Sequence, residues 1–193
     1  METNTKKHND WTFEKVTNIE QLYEIGFWNS FIIRNHFSGF NRFVLQENET
    51  PSIFEYLKKI FSNNSDSHIL IAKNQKGKAV DGLLIADYFM VNENTPAVYF
   101  HDFFINPQLS GNGTGTKILE SFIKQCPELF EQKPKYFLTY LHQNNVPYKK
   151  LLEKLNFKIS HSGNDFFLQA ELNPSALENE QNSKTKKQEQ IEF

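Results

Sequence analysis

Apolar and polar residues alternate in "WTFEKV" (residues 11–16), the pattern of a strand with one buried face. Ile19, Leu22, Tyr23, Phe27 and Phe31 then recur at helical spacing, and Thr17 and Glu20 have the spacing of a capping box. Together they predict a helix over about 18–35. Residues 36–51 carry no period and read as a loop. "PSIFEYLKKIF" starts on a proline and sets Ile53, Phe54, Leu57, Ile60 and Phe61 on one face, which predicts a second, short helix. "SHILIAK" and "AVDGLLIADYFMV" flank the Gly-containing "NQKGK" and predict a hairpin, with "TPAVYFHDFFI" as the next strand. Ile118, Leu119, Phe122, Ile123 and Cys126 mark a helix that Pro127 is expected to end. "PKYFLTYL" reads as a strand and "NVPYKKLLEKLNF" as a helix with Pro147 in its first turn. Tyr148, Leu151, Leu152 and Leu155 share a face of that helix, and Asn156 takes the left-handed position that closes it. "FKIS" and "DFFLQAEL" are the closing strands. The order β-α-α-β-β-β-α-β-α-β-β is an α+β arrangement, with helices packed on one central sheet.

Composition narrows the class. A length of 193 residues favours one domain, and 38% apolar residues, with nineteen phenylalanines, supply a sizeable core. We expect a single domain over 11–172 and a disordered tail over 173–193, which is almost without apolar residues. Lysine plus arginine (21) nearly balance aspartate plus glutamate (23), so no strong field recruits nucleic acid or a membrane surface. The one cysteine, Cys126, cannot form an intramolecular disulfide. "METNTKKHND" has no apolar h-region, and stretches such as "GLLIADYFMV" are too short to span a bilayer. The expectation is a soluble cytoplasmic protein. The histidines show no metal-ligand spacing, and no metal is expected.

The chemistry concentrates in "HDFFINPQLSGNGTGTKIL". Three of the chain's eight glycines, Gly111, Gly113 and Gly115, alternate between an apolar strand and a helix. The first turn of a helix offers unpaired N–H donors and the positive end of the dipole. Glycines let backbone approach a phosphate closely and adopt φ > 0. The P-loop and the G-x-G-x-x-G fingerprint are both excluded, because each would need glycine where Thr116 stands.

"NPQLSGNGTGTKIL" resembles the coenzyme A loop of the GNAT N-acetyltransferase superfamily, roughly P-x-x-[QR]-G-x-G-[IL]-G-x-x-[LI]-L. Gly111, Gly113 and Gly115 fall on its glycines, and Ile118 and Leu119 on its apolar pair. "NVPYKKLLEKLNF" has the spacing of the family's second signature, an asparagine followed by a helix ending L-Y-x-x-x-G-F. Within the superfamily, "VYFHDFFINPQLSGNGTG" looks most like the diamine and polyamine (spermidine/spermine) acetyltransferases, with His101 where they carry an acidic residue. The resemblance implies a central, mostly antiparallel sheet flanked by helices, and transfer of acetyl from acetyl-CoA to a primary amine.

It also implies roles. Backbone of Phe103, Phe104 and Ile105 would pair with the pantetheine arm. Ser110, Gly111, Asn112, Gly113, Thr114, Gly115 and Thr116 would hold the pyrophosphate. Asn145, Val146, Pro147, Tyr148 and Leu152 would line the cofactor's other side. Two departures matter. Ser110 brings no charge where the family has a basic or amide residue. Leu152 stands where the family's tyrosine protonates the leaving thiolate, and Tyr148, one turn earlier, is the candidate substitute. His101 is the candidate base, since imidazole titrates near neutral pH. Asp102 is expected on the opposite strand face from His101, as a structural acceptor. Glu20, Glu24, Asp87 and Glu93 have the charge to attract a cationic acceptor, with solvated surface as the first reading of each.

The acceptor is expected to be a small-molecule amine, a polyamine or related small cation. A peptide or protein amine is the alternative acceptor, and a catalytically weak acyl-CoA-binding module is the alternative to an enzyme. Homodimers are common in the superfamily, and no residue here decides the oligomeric state.

Overall fold

The computed structural model describes residues 11–26, 53–62, 67–74, 80–163 and 167–174. Residues 27–35 of the expected first helix, the 36–51 loop, most of the "NQKGK" turn and nearly all of the 173–193 tail lie outside them.

A seven-stranded sheet runs β1-β2-β3-β4-β5-β7-β6. Its strands are β1 (Trp11–Lys15), β2 (Ser67–Asn74), β3 (Val80–Met90), β4 (Pro96–Ile105), β5 (Tyr136–His142), β6 (Lys158–His161) and β7 (Phe167–Leu172). The helices are α1 (Gln21–Gly26), α2 (Ile53–Ser62), α3 (Thr114–Leu129) and α4 (Val146–Lys154). The element order is the one the hydrophobic pattern predicts. All strand pairs are antiparallel except β4 with β5.

Each face of the sheet buries its own core. On one, Phe13, Phe100, Phe122 and Phe137 pack with Leu152, Leu155 and Phe157 beneath α3 and α4. Phe122 sits edge-on to Phe13 and Phe100, with ring centroids 5.3 and 5.4 Å apart. On the other, Leu22 of α1 and Leu57 of α2 meet Ile69, Ile71, Leu83, Ile85 and Phe104. Burial of each such side chain contributes about 1.5–3 kcal/mol.

Local signals explain the ends of the elements, with two corrections. The box at the start of α1 is made by Asn18 and Gln21, one residue after the expected Thr17 and Glu20. Asn18 Oδ1 accepts from the Gln21 amide (3.1 Å), while Gln21 Oε1 accepts from the amides of Asn18 (3.1 Å) and Thr17 (2.7 Å). Asparagine caps as well as threonine does, and this register leaves Leu22 on the buried face. Pro127 does not end α3, which continues to Leu129. In the last turn proline forfeits a single helical bond, and the Phe130 amide still reaches the Cys126 carbonyl at 3.1 Å. After α4, Asn156 adopts φ 62°, as its position predicts. Its amide bonds the Glu153 carbonyl and that of Phe157 bonds Leu152, both at 3.0 Å, which completes a Schellman closure.

One irregularity sets the site. Ile85 pairs with Asp102 and Ala86 with Phe100, so His101 is an extra residue bulged out of β4. The bulge resets the alternation of side chains. Phe100 belongs to the α3/α4 core and Phe104, four residues on, to the α1/α2 core. His101 and Asp102 therefore share the α1/α2 side of β4, which corrects the expectation that they face opposite ways. Pairing of β4 with β5 covers only Ala97–Phe100 against Tyr136–Thr139, and the later parts of both strands are not paired with each other.

Two substitutions test this packing. Asn156→Ala should cost about 1 kcal/mol in urea unfolding, because a plain Cβ is disfavoured in the left-handed region, whereas Asn156→Gly should cost nothing. Equal stability of the two would contradict the closure. A Cβ at Gly115 would clash with Ile105 Cδ1 and press on Leu151 Cδ1 at 3.0 Å, where α3, β4 and α4 meet. Gly115→Ala should lose about 1–3 kcal/mol by overpacking, read by the same measurement.

Candidate functional site

Past its bulge, β4 enters a one-turn 3-10 helix (Pro107–Leu109), then the glycine loop, then α3. Gly111 and Gly113 have φ 87° and 73°, in the left-handed region, and a Cβ at either would have nothing within 4 Å. Their backbone thus borders open space. Gly113 is the N-cap of α3, and the first helical bond runs from the Lys117 amide to its carbonyl at 3.2 Å. The amides of Thr114, Gly115 and Thr116 precede that bond and have no acceptor within the helix. No acidic residue occupies the first turn, so the positive helix end is not neutralised from within. This is a cradle for an anion.

The cradle opens into a groove of about 420 Å³ between the unpaired ends of β4 and β5. Of the residues singled out in the sequence, His101, Phe103, Phe104, Ile105, Ser110, Gly111, Gly113, Thr114, Gly115, Thr116, Asn145, Pro147 and Tyr148 line it. Three others are not in its wall. Leu152 is 0% exposed within the α3/α4 core, and its neighbour Leu151 faces the groove instead. Val146 is 50% exposed, and Asn112 is exposed on the loop. The groove also takes in Asp102, Tyr140, Leu141, His142, Asn144, Lys150, Leu151, Lys154 and Phe167, none of them anticipated as part of a cofactor groove. Lys150 and Lys154 are one helical turn apart on α4, a spacing visible in the sequence.

The start of α4 explains why its residues reach the groove. Asn145 Oδ1 accepts from the Tyr148 amide at 3.3 Å and Pro147 occupies the first turn, which fixes where the helix begins. Tyr148 then lies half-buried across from β4, with its ring centroid 6.5 Å from that of Phe103. Its hydroxyl is 3.5 Å from Thr139 Oγ1, and the Thr139 hydroxyl donates to the Phe100 carbonyl at 3.1 Å, at the last paired position of β4 and β5. Burial above all raises the Tyr148 pKa, against the Thr139 hydrogen bond, and the charges of Asp102 and Tyr99 add to the rise. The phenol therefore stays protonated at neutral pH.

On the α1/α2 side, His101 Nε2 meets Asp87 Oδ2 of β3 at 2.5 Å. The Tyr99 ring stands edge-on to the imidazole, with centroids 4.5 Å apart. Of the two roles open to Asp87, this contact with His101 takes it out of simple solvated surface. Asp102 accepts from Tyr56 of α2 at 2.5 Å, as expected of a structural acceptor. Burial raises its pKa, while the Tyr56 bond and the His101 charge pull it down. Burial, followed by the Asp102 charge, raises that of Tyr56. Tyr99 is pushed up to about 12 by burial, then by Tyr140, Asp102 and Asp87.

Among the described residues, no group of three or more His, Cys, Asp or Glu side chains could hold a metal ion. No described helix is long and apolar enough to cross a membrane.

No family model matches the sequence, and no curated protein matches it. Solved structures do. Mutant forms of the spermidine/spermine N-acetyltransferase SpeG from Vibrio cholerae align with a TM-score of 0.60 at 12% identity, over 89% of this chain and 98% of that one. FdhC, a nucleotide-linked sugar GNAT, aligns with a TM-score of 0.62 at 12% identity, over 92% and 94%. The yncA protein of Salmonella typhimurium, determined with acetyl-CoA, aligns with a TM-score of 0.54 at 12% identity, over 86% and 94%. At such identities the likeness is one of architecture, and it agrees with the glycine loop and the split sheet. This chain has the fold of the GNAT acetyltransferases.

Proposed function

We propose that the protein is an N-acetyltransferase that moves the acetyl group of acetyl-CoA to the primary amine of a small cationic acceptor, of the polyamine type. The observation that carries this reading is the groove between the separated ends of β4 and β5, which runs into a glycine cradle at the N-terminus of α3. The residues present fit the cofactor. Positive-φ glycines with open space above them suit a pyrophosphate, and Lys150 and Lys154 bring positive charge to the same groove. The unpaired edge of β4 at Phe103, Phe104 and Ile105 suits an extended amide-bearing arm. The cationic acceptor is supported by Asp87 and Asp102 beside the groove and by the "HDFFI" stretch.

In this reading Asp87 holds His101 by Nε2, which leaves Nδ1 to accept the proton of the amine. The acceptor nitrogen forms its bond to the acetyl carbon as the carbon–sulfur bond breaks. Tyr148, which burial keeps in the phenol form, would supply the proton to the departing thiolate. Asp102 is locked by Tyr56 and shapes the wall. The working unit is the single domain over 11–172, acting in the cytoplasm without a metal. Leu152, buried where a tyrosine is expected, is the one observation favouring a module that binds acyl-CoA without turnover. Release of free thiol from acetyl-CoA against a panel of amines separates the two readings.

Two variants sharpen that assay. Gly113→Asp should reduce CoA affinity at least tenfold by calorimetry while the protein stays folded. The carboxylate would enter the anion cradle, and aspartate is among the residues best tolerated at φ > 0. Unchanged affinity in the folded variant would remove the cofactor assignment. Tyr148→Phe should lower kcat roughly tenfold, about 1.4 kcal/mol of barrier. The loss should be modest for a general acid, because a thiol of pKa about 8.5 leaves tolerably unaided. An unchanged kcat would rule out Tyr148 as the acid.

A further inference from the structure

His101 and Asp102 are neighbours in sequence, and in a regular strand their side chains would leave opposite faces. The bulge puts both on the α1/α2 side of β4. An imidazole and a carboxylate that alternation would separate are thereby placed side by side, and each feels the other's charge. Among the described residues, the groups that face the imidazole are Asp87 from β3, Tyr99 and Asp102 from β4, Tyr140 of β5 behind Tyr99, and Tyr56 of α2 behind Asp102.

The two carboxylates are held in different ways. Asp87 Oδ2 meets His101 itself, whereas Asp102 Oδ2 accepts from the Tyr56 hydroxyl at 2.5 Å. Burial raises the Asp102 pKa, and the Tyr56 bond is the larger of the two effects that pull it down, ahead of the His101 charge. Removing the hydroxyl therefore leaves a carboxylate in low-dielectric surroundings with less to keep it ionised. The seating of α2 has another source. Leu57, the next residue, is 0% exposed and packs with Ile69, Ile71, Leu83, Ile85 and Phe104, while the Tyr56 ring packs against the same core. Loss of the hydroxyl alone keeps both contacts.

We propose that Tyr56 is a positioning residue for the imidazole: it acts from α2 through Asp102, whose carboxylate it holds as a fixed negative charge beside His101, and so favours the imidazolium. Its value to catalysis rests on the reading of His101 as the base, but the linkage itself does not. A base with raised proton affinity stands closer to an alkylammonium, about 10.4 for lysine, from which it must take the proton. Asp87 orients the ring by direct contact, and Tyr56 adds a second charge to it at one remove.

The test is an NMR titration of the His101 ring in the full chain, with neither cofactor nor amine added, its resonance assigned by loss in His101→Gln. Tyr56→Phe should lower the imidazole midpoint by about one unit, because a carboxylate that takes up a proton no longer stabilises the imidazolium. Asp102→Asn should lower it at least as far, with its amide oxygen still able to accept from Tyr56. In the Asp102→Asn background, Tyr56→Phe should move the midpoint no further, as a residue that acts only through its partner must. A hydroxyl that merely braces α2 would leave the midpoint alone, or shift it equally in both backgrounds, and either result overturns the inference. A rise in the midpoint of Tyr56→Phe overturns it too. If that variant fails to fold, Tyr56→4-fluorophenylalanine, which fills the hydroxyl's place without donating, carries the same expectations. The pH profile of thiol release from acetyl-CoA with 1-aminobutane tests the base separately. A midpoint that falls in Tyr56→Phe while the profile stays in place keeps the linkage and sinks only His101 as the base.

Discussion

One extra residue in β4 governs the architecture of the site. A regular strand would keep Phe100, Asp102 and Phe104 on one face and leave β4 free to stay paired with β5 along its length. With His101 inserted, the strand re-aims between Phe100 and Asp102, and its pairing with β5 ends at Phe100. Bulges bend strands and strengthen local twist. Here the cost in lost ladder bonds is offset by two cores. Phe100 packs with Phe122 and Phe137 before the bulge, and Phe104 with Leu83 and Ile85 after it. The groove thus exists because apolar packing on both faces of the sheet holds the strand in its interrupted register.

The same device places the polar groups. Behind the bulge, Asp102 turns toward α2 and Tyr56, and His101 projects from the same side of β4 toward Asp87 on β3. Two carboxylates therefore flank one imidazole, each bound to a partner on a different element. Burial makes Tyr56, Tyr99 and Tyr148 weaker acids than free phenols, so they act as fixed proton donors and dipoles rather than as charges. Beside the imidazole, fixed charge then rests on Asp87 and Asp102, while Lys150 and Lys154 supply it on the α4 wall.

Much of this was legible in the sequence, and the unreadable part has a physical reason. Element order followed from apolar periodicity, because each face of the sheet is buried and most helices show one apolar stripe. Asn156 and the alternating glycines were readable because left-handed backbone restricts residue choice so strongly. The bulge was not readable. "YFHDFFI" has large apolar or aromatic residues on both sides of its polar pair, so one inserted residue leaves no mark in the hydrophobic pattern while reversing which side chains face which core. That is why strict alternation puts Asp102 on the wrong side of β4. Leu151 and Leu152 are equally apolar, and only the tertiary packing chooses Leu152 for the core and Leu151 for the groove. The capping register at α1 turned on one residue, with asparagine and threonine equally able to cap.

Ser110 poses a last question of charge. An anion-binding loop usually gains from a fixed cation, whereas this one offers backbone amides and carries no charge at that position. Lys150 and Lys154 answer from the other wall, on the helix that Asn145 caps and Pro147 starts. Moving the cations from the loop to α4 has a consequence for assembly of the site. The loop alone can offer dipoles to an anion, but the full positive potential forms only when α4 is seated against α3 and β4. That seating passes through Gly115, whose missing side chain lets Ile105 and Leu151 meet. The third glycine therefore contributes through packing, and the first two through their open backbone.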